Sequence, residues 1–401
     1  LAGQSTPPAV RDGVLEFLLR QDAPDLAGQV ARVLPEIRAR GELRQAVLDW
    51  LVDNPQPEAL GEVVKLWAAE DSPTGPHEPQ YRRVVERLTG RRWPAALLEA
   101  LNRPSFGARG SAIEVLAARL SRRELTERLS NLPPRSDALR ALRACLEQFD
   151  YLPRTGRELM TAVVLHRTRP EAFVRAGRLA RQWRQASGYH FELRDAGLLA
   201  GLAADPLRTH LGRTKLILQL GKALNGRPHV RTTTEGIRSD ALWQQVDRLT
   251  LADLWNLYLL DEMLTRPRLQ VQLRILAERD RADRAHAWGG VIFYENGQAE
   301  GYYYKSVSGG RASDRHYVPP AQALRHLRRG RENNQGLCLF KGRFERADNA
   351  ARAGPDRQDL QHAKDEDLYG LILTSVSTQR FCAHYYNPDG IVISLGTFPF
   401  R

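Results

Sequence analysis

The sequence predicts a multidomain protein, with an all-α region over residues 9–283 followed by an α+β domain over residues 284–401. Three observations carry this. From Ala9 to about Asp283 apolar residues recur every three or four positions, which is the period of one helix face. Near Ala287 the period drops to two, the alternation of a strand. The chain has 401 residues, too many for one ordinary core, so two or three domains are expected.

Residues 1–8, small and polar, read as a disordered leader. The first helix stripe is Val14, Leu15, Phe17 and Leu18, and the second is Leu26, Val30, Val33 and Leu34. Leu43, Val47, Leu48 and Leu51 form the next, followed by Leu60, Val63, Val64 and Trp67. Asp22-Ala23-Pro24, Asp53-Asn54-Pro55 and Asn102-Arg103-Pro104 separate stripes, because proline after Asp or Asn stops one helix and starts another. Ser121 with Glu124 and Thr155 with Glu158 have the spacing of reciprocal N-terminal caps. Short helices with one apolar face cannot bury it alone and must stack. The stretch from Asn102-Arg103-Pro104 through Ala112-Ile113-Glu114-Val115-Leu116-Ala117 resembles HEAT-type repeat helices, which implies an α-solenoid over residues 9–150. The proline breakers at 24, 55 and 104 lie 31 and 49 residues apart, so an irregular helical bundle remains the alternative.

Residues 151–283 stay helical but lose the breaker rhythm and gain Trp183, Tyr189, Phe191, Trp243, Trp255 and Tyr258. They form either a continuation of the first region or a domain of their own. Thr232 to Gly236 reads as a polar loop. Leu251 to Leu260 is apolar nearly all round and is expected to be a buried helix.

In the last domain Gly289 to Tyr294 and Ala299 to Val307 are strands joined by an Asn296-Gly297 hairpin signal. Pro320 to Arg329 is a helix, Gly336 to Phe340 a short strand, and Asp356 to Asp365 a second helix. Leu371 to Ser375, Arg380 to Tyr386 and Ile391 to Leu395 are strands, with turn chemistry at Asn387-Pro388-Asp389-Gly390.

Composition narrows the function classes. Hydrophobic residues make up 42% and charged residues 26%, a globular balance. No apolar run approaches the roughly 18 to 20 residues of a membrane-spanning helix. A net charge of +12 raises nucleic acid as a partner. The excess, however, is mostly arginine spread along the chain, as codon usage in a GC-rich bacterial genome would give, whereas a dedicated binder gathers charge on one face. The dense basic run is Arg325, Arg328, Arg329 and Arg331, which the end of a helix also explains. Cys145, Cys338 and Cys382 have no metal-ligand spacing and are expected as buried free thiols, with Cys338 and Cys382 potential neighbours in the sheet. Leu1-Ala2-Gly3-Gln4-Ser5-Thr6-Pro7-Pro8 has the character of a segment just past a signal-peptide cleavage site, so export to the envelope and a cytoplasmic location are both open.

Ala353-Gly354-Pro355-Asp356-Arg357-Gln358-Asp359-Leu360, followed by the strand runs Gly370 to Thr374 and Arg380 to Tyr386, resembles a JAB/MPN (JAMM-type) metallo-isopeptidase domain. That family holds one zinc with a His-x-His pair and an Asp one helical turn beyond a Ser, and a Glu on the first strand acts as general base. The resemblance sets Asp359 at the ligand Asp, Asp356 at the Ser, Lys341 and Arg343 at the two His and Ala287 at the Glu. Neither ammonium nor guanidinium offers a lone pair, so the resemblance implies a degenerate site with no cofactor. Lys341 or Arg343 is then expected within ion-pair reach of Asp359. The implied function is a non-catalytic interaction scaffold, a pseudoenzyme binding a protein or peptide by strand addition. A metallopeptidase with displaced ligands, using Asp356, Asp359 and His362 or His384, is the alternative, and nucleic-acid binding through Arg325–Arg331 a second. His316 and His384 read as structural histidines. A Cys382–His384 thiol–imidazole pair lacks a third partner, and Ser306 to Gly310 lacks the following helix of a phosphate loop.

Overall fold

The structure, a computed structural model, describes residues 13, 41–70, 75–205, 208, 211–230, 237, 239, 241–283, 286–295, 298–306, 317, 319–329 and 335–401. The leader, the two stripes before residue 41, the Thr232 to Gly236 loop, the Asn296-Gly297 turn, His316 and Arg331 lie outside the described residues. The chain divides into two compact units, Leu1–Arg167 and Thr168–Arg401.

The described part of the first unit is helical: α1 (Gly41–Asp53), α2 (Leu60–Ala68), α3 (Glu78–Thr89), α4 (Trp93–Leu101), α5 (Arg109–Arg119), α6 (Arg122–Ser130), α7 (Asp137–Phe149) and α8 (Gly156–Thr168). Helix ends follow the local chemistry. α1 stops at the Asn54-Pro55 breaker, and α3 stops at Gly90, whose φ of 67° is left-handed. Ser121 and Glu124 form the full reciprocal cap of α6. Of the second expected cap only half is present. The Glu158 N–H donates to Thr155 Oγ1 at 3.1 Å, while the Glu158 carboxylate accepts from the Arg154 N–H at 2.6 Å. Asn102, which ends α4, accepts from the N–H groups of Arg135 and Ser136 at 2.7 and 3.2 Å and donates to the Pro133 carbonyl at 2.8 Å. It thereby fixes the α6–α7 connection to α4.

Val47, Leu48, Leu51, Val63, Val64 and Trp67 from the expected stripes are fully buried in one core with α3 to α7. Helices pack on neighbours one to three places along the chain. α5 and α8 approach most closely at Gly110 and Gly156, where a Cβ on either would sit 2.8 Å from the other's Cα. Gly110→Val must therefore push the helices apart. The expected loss is roughly 2 kcal/mol in a denaturant titration, and a stability equal to wild type would show that the crossing tolerates bulk.

The second unit contains α9 (Pro170–Ser187), α10 (Ala196–Ala203), α11 (Arg213–Asn225), α12 (Leu242–Gln245), α13 (Leu251–Leu264) and α14 (Pro267–Ala282). Then follow β1 (Trp288–Glu295), β2 (Gln298–Lys305), α15 (Ala321–Arg329), β3 (Gln335–Arg343), α16 (Arg357–Glu366), β4 (Gly370–Ser375), β5 (Arg380–Tyr386) and β6 (Val392–Pro399). The strands form one sheet in the order β2-β1-β3-β4-β5-β6. All neighbours are antiparallel except β3 and β4, and α16 supplies the crossover that a parallel pair needs.

The boundary expected at residue 284 is not where the units part, since the helices from Thr168 belong with the sheet. The reason is burial. Every residue of β4 is buried, so the sheet needs cover on both faces. α15 packs over Val291, Phe293 and Leu339, and α16 packs over Ile372, Tyr386 and Val392 on the same face. Helices α10, α13 and α14 take the other face. Tyr385 OH donates to Asp253 of α13 at 2.7 Å, and the Phe344 N–H donates to Asp280 of α14 at 3.0 Å. As expected, α13 is buried along nearly its whole length. Gly370 leaves room for the Tyr386 ring, which a Cβ there would meet at 2.0 Å.

Candidate functional site

β3 is longer than expected and runs through Arg343, so that Leu339, Lys341 and Arg343 share the face covered by α16. The mixed register sets Lys341 between Gly289 of β1 and Ile372 of β4, and Arg343 beside Thr374. Opposite them the chain turns through Gly354, at φ 85°, into the first turn of α16. Asp356 is its N-cap. The Asp356 carboxylate accepts from the Asp359 N–H at 2.8 Å, and the Asp359 carboxylate accepts from the Asp356 N–H at 3.0 Å. This reciprocal cap holds both carboxylates rigidly at the positive end of the helix.

The two pairs meet. Lys341 Nζ lies 3.2 Å from Asp359 Oδ1 and 3.5 Å from Asp356 Oδ2. Arg343 Nη2 lies 2.9 Å from an oxygen of each. Arg343 Nη1 donates to the Arg352 carbonyl, and Asn349 Nδ2 donates to the Arg343 carbonyl at 3.1 Å. Lys341, Arg343 and Asp359 are 4%, 3% and 6% exposed, so this is a neutral, buried two-by-two ion cluster rather than a solvated surface pair. Ala287, also buried, lies two residues before Gly289, which pairs with Lys341. Continuing that register sets Ala287 beside Arg343. Its carbonyl accepts from the Ser306 N–H at 2.9 Å, and its methyl offers no base.

Zinc does not fit these residues. Two cations stand within 3.5 Å of the carboxylates that would hold it, and neither cation has a lone pair to give. Nor are the carboxylates free to hold it, since Asp359 Oδ1 serves Lys341 while Oδ2 serves Arg343 and the Asp356 amide. Among the described residues no three His, Cys, Asp or Glu side chains converge as a metal-binding group.

The displaced-ligand residues do not come together either. His362 follows Asp359 by one turn on α16, but both Asp359 oxygens are already engaged. His384 is fully buried on β5 and faces the Val230 carbonyl through Nε2 at 3.1 Å. Burial lowers its pKa to about 4, so it is a neutral, structural imidazole. Cys382 lies two residues away, with its thiol raised by burial to about 12. That is not a nucleophile's environment. Cys338 and Cys382 are not neighbours, because β4 separates their strands, and all three cysteines are free and buried. In the basic run Arg325 is exposed on α15, while the side chains of Arg328 and Arg329, like the whole of Arg331, lie outside the described residues.

Sequence reading missed a second polar cluster on the opposite face. Asp195 accepts from Tyr369 OH at 2.5 Å and from Tyr189 OH. Asp253 accepts from Tyr385 OH and from Asn387 Nδ2 at 3.0 Å. The partners are up to 174 residues apart, and no local spacing announces them. Thr250 and Asp253 form a reciprocal cap at the start of α13, a spacing that sequence reading did not single out.

Comparison with models of known protein families gives no match, and comparison with curated protein sequences and with solved structures gives none. Among the described residues no helix is long and apolar enough to cross a membrane.

Proposed function

We propose that this chain is a non-catalytic interaction protein, a helical array joined to a JAB/MPN-type pseudoenzyme domain. The observation that carries this reading is the buried Lys341–Arg343–Asp356–Asp359 cluster at the position where the resemblance sets a zinc site. The strand–loop–helix geometry that would present three zinc ligands instead presents two cations to two carboxylates, and a structural ion cluster replaces the reactive centre. Packing between helices close in sequence supports a HEAT-like stack for the first unit. The partner is a polypeptide. Among the described residues β2 and β6 end the sheet, and the segment Arg227–His229 already bonds to Ser394, Leu395 and Thr397 of β6. That makes β2 the strand at which an extended segment would add.

Metal analysis tests the reading. Purified protein is expected to retain no zinc after dialysis, whereas the Lys341→His/Arg343→His double variant, with Asp359 now free to ligate, is expected to hold about one per chain. One tightly held zinc in the wild type, with peptide hydrolysis lost on Asp359→Ala, would establish the displaced-ligand peptidase instead.

A further inference from the structure

Two carboxylates are buried in the polar network between helices and sheet of the second unit, and their surroundings differ. Asp253 accepts four hydrogen bonds. The Thr250 N–H and Oγ–H donate to Oδ2 at 2.8 Å each, and Tyr385 OH and Asn387 Nδ2 donate to Oδ1 at 2.7 and 3.0 Å. It also stands in the first turn of α13, where the helix dipole favours an anion and the capping box is complete; Asp195, at the N-cap of α10, makes no side-chain cap bond there. Asp195 accepts two, both from neutral tyrosine hydroxyls, Tyr189 and Tyr369. Its neighbour Arg194 directs its guanidinium elsewhere, to Glu192 and Asp367 at 2.6 Å each and to Asp389 at 3.3 Å. It also lies 5.7 Å from the Tyr369 ring. The charged and titratable groups facing Asp195 are Tyr189 and Arg194 on the α9–α10 connection, Asp253 on α13 and Tyr369 before β4. The charge of the one cation among them, Arg194, is shared with Glu192, Asp367 and Asp389.

A carboxylate that is 2% exposed and has no cation hydrogen-bonded to it relieves its desolvation by taking a proton. We infer that Asp195 is a proton-operated latch: it holds a proton when the α9–α10 connection is seated on the sheet, and its ionisation as pH rises loosens that connection from the start of β4. Protonated, one carboxyl oxygen donates and the tyrosine hydroxyl opposite it turns to accept. Ionised, both hydroxyls donate and an uncompensated charge stays in the core. Burial, the largest influence, raises the carboxyl to about 7, against the lowering by Arg194 and the two hydroxyls. An exposed aspartate titrates near about 3.9. The raised group's stabilisation is thus complete below that range, fades as pH rises, and is gone above about pH 7.

Hydrogen exchange of the full chain between about pH 5 and pH 8, corrected for intrinsic rate, tests this in the segments 189–203 and 368–373. In the wild type the opening constant is expected to climb about tenfold per pH unit up to about pH 7 and then level off. Asp195→Asn, whose amide can serve one tyrosine as acceptor and the other as donor, is expected to stay flat at the low-pH wild-type value. Trp183, whose ring packs edge-on against Tyr189 at 5.3 Å between centroids, should report the same transition by fluorescence. Equal pH dependence in wild type and Asp195→Asn overturns the latch. Should that variant not fold, carbon-13 titration of aspartate-labelled wild type decides: a carboxyl carbon titrating near neutrality supports the latch, and none above the ordinary carboxylate range overturns it.

Discussion

Asp359→Ala is expected to destabilise the second unit by roughly 3 kcal/mol through the cations it strands, with about 1 kcal/mol more from the broken helix cap. Lys341 and Arg343 would stay buried beside Asp356 alone, at 3.5 and 2.9 Å. One carboxylate cannot neutralise both. The side chains of Lys341 and Arg343 are 5% and 3% exposed, so water screens the excess charge poorly. For a unit of this size the combined loss of about 4 kcal/mol should lower the thermal midpoint by roughly 8–16 °C. Asp365→Ala on the same helix is the control. Asp365 is exposed and accepts from Gln361 Nε2 at 2.7 Å, and its loss should be within about 0.5 kcal/mol of neutral. Equal effects of the two substitutions would show that the cluster is not buried in solution, and with it the pseudoenzyme reading would lose its carrying observation.

The converse distinguishes a cluster kept for stability from one kept for shape. Buried ion groups are often no more stable than apolar residues of the same volume, while breaking them from one side is costly. Lys341→Met, Arg343→Met, Asp356→Ser and Asp359→Leu together should therefore cost far less than Asp359→Ala alone.

How far this was visible beforehand differs by level. The change of period near Ala287, the strands at Leu371, Arg380 and Ile391, and the Asp356 helix are local signals, and the chain forms those elements within a few residues of the expected places. The meeting of β3 with α16 was expected only from the resemblance, since no local spacing dictates that Lys341 and Arg343 at a strand end face Asp356 and Asp359 at a helix start. What was not legible was long-range. Nothing in Leu251 to Leu260 distinguishes a helix buried among other helices from one buried under a sheet. The assignment of residues 168–283 to the sheet's unit rests on contacts such as Asp253 to Tyr385 and Asp195 to Tyr369, between residues 132 and 174 positions apart. β3 was cut short at Phe340 because Lys341 and Arg343 break the apolar pattern. They remain in strand because the carboxylates of α16 neutralise them.

The largest effect expected in the first unit falls on Glu78. This side chain, at the start of α3 and 9% exposed, accepts from Trp67 Nε1 of α2 at 2.6 Å, from Arg119 Nε of α5 at 2.8 Å and from Arg82 Nε at 2.9 Å. One carboxylate thus ties three helices. Arg119 also lies 4.9 Å over the Trp67 ring, and that ring stacks on Tyr81 at 5.9 Å and meets Trp93 edge-on at 5.3 Å. Removing the carboxylate strands a guanidinium only 3% exposed and an indole N–H at the centre of an aromatic cluster. Glu78→Ala is expected to cost roughly 3–5 kcal/mol. Glu78→Gln, which keeps one acceptor oxygen and the volume, should cost less because only the charge is lost. Arg82 pairs with the same residue from an exposed position, so Arg82→Ala should cost no more than about 1 kcal/mol. The order Glu78→Ala, then Glu78→Gln, then Arg82→Ala in chemical denaturation would place the stability in the buried Trp67–Glu78–Arg119 contact. Equal losses for Glu78→Ala and Arg82→Ala would place it in the surface pair instead.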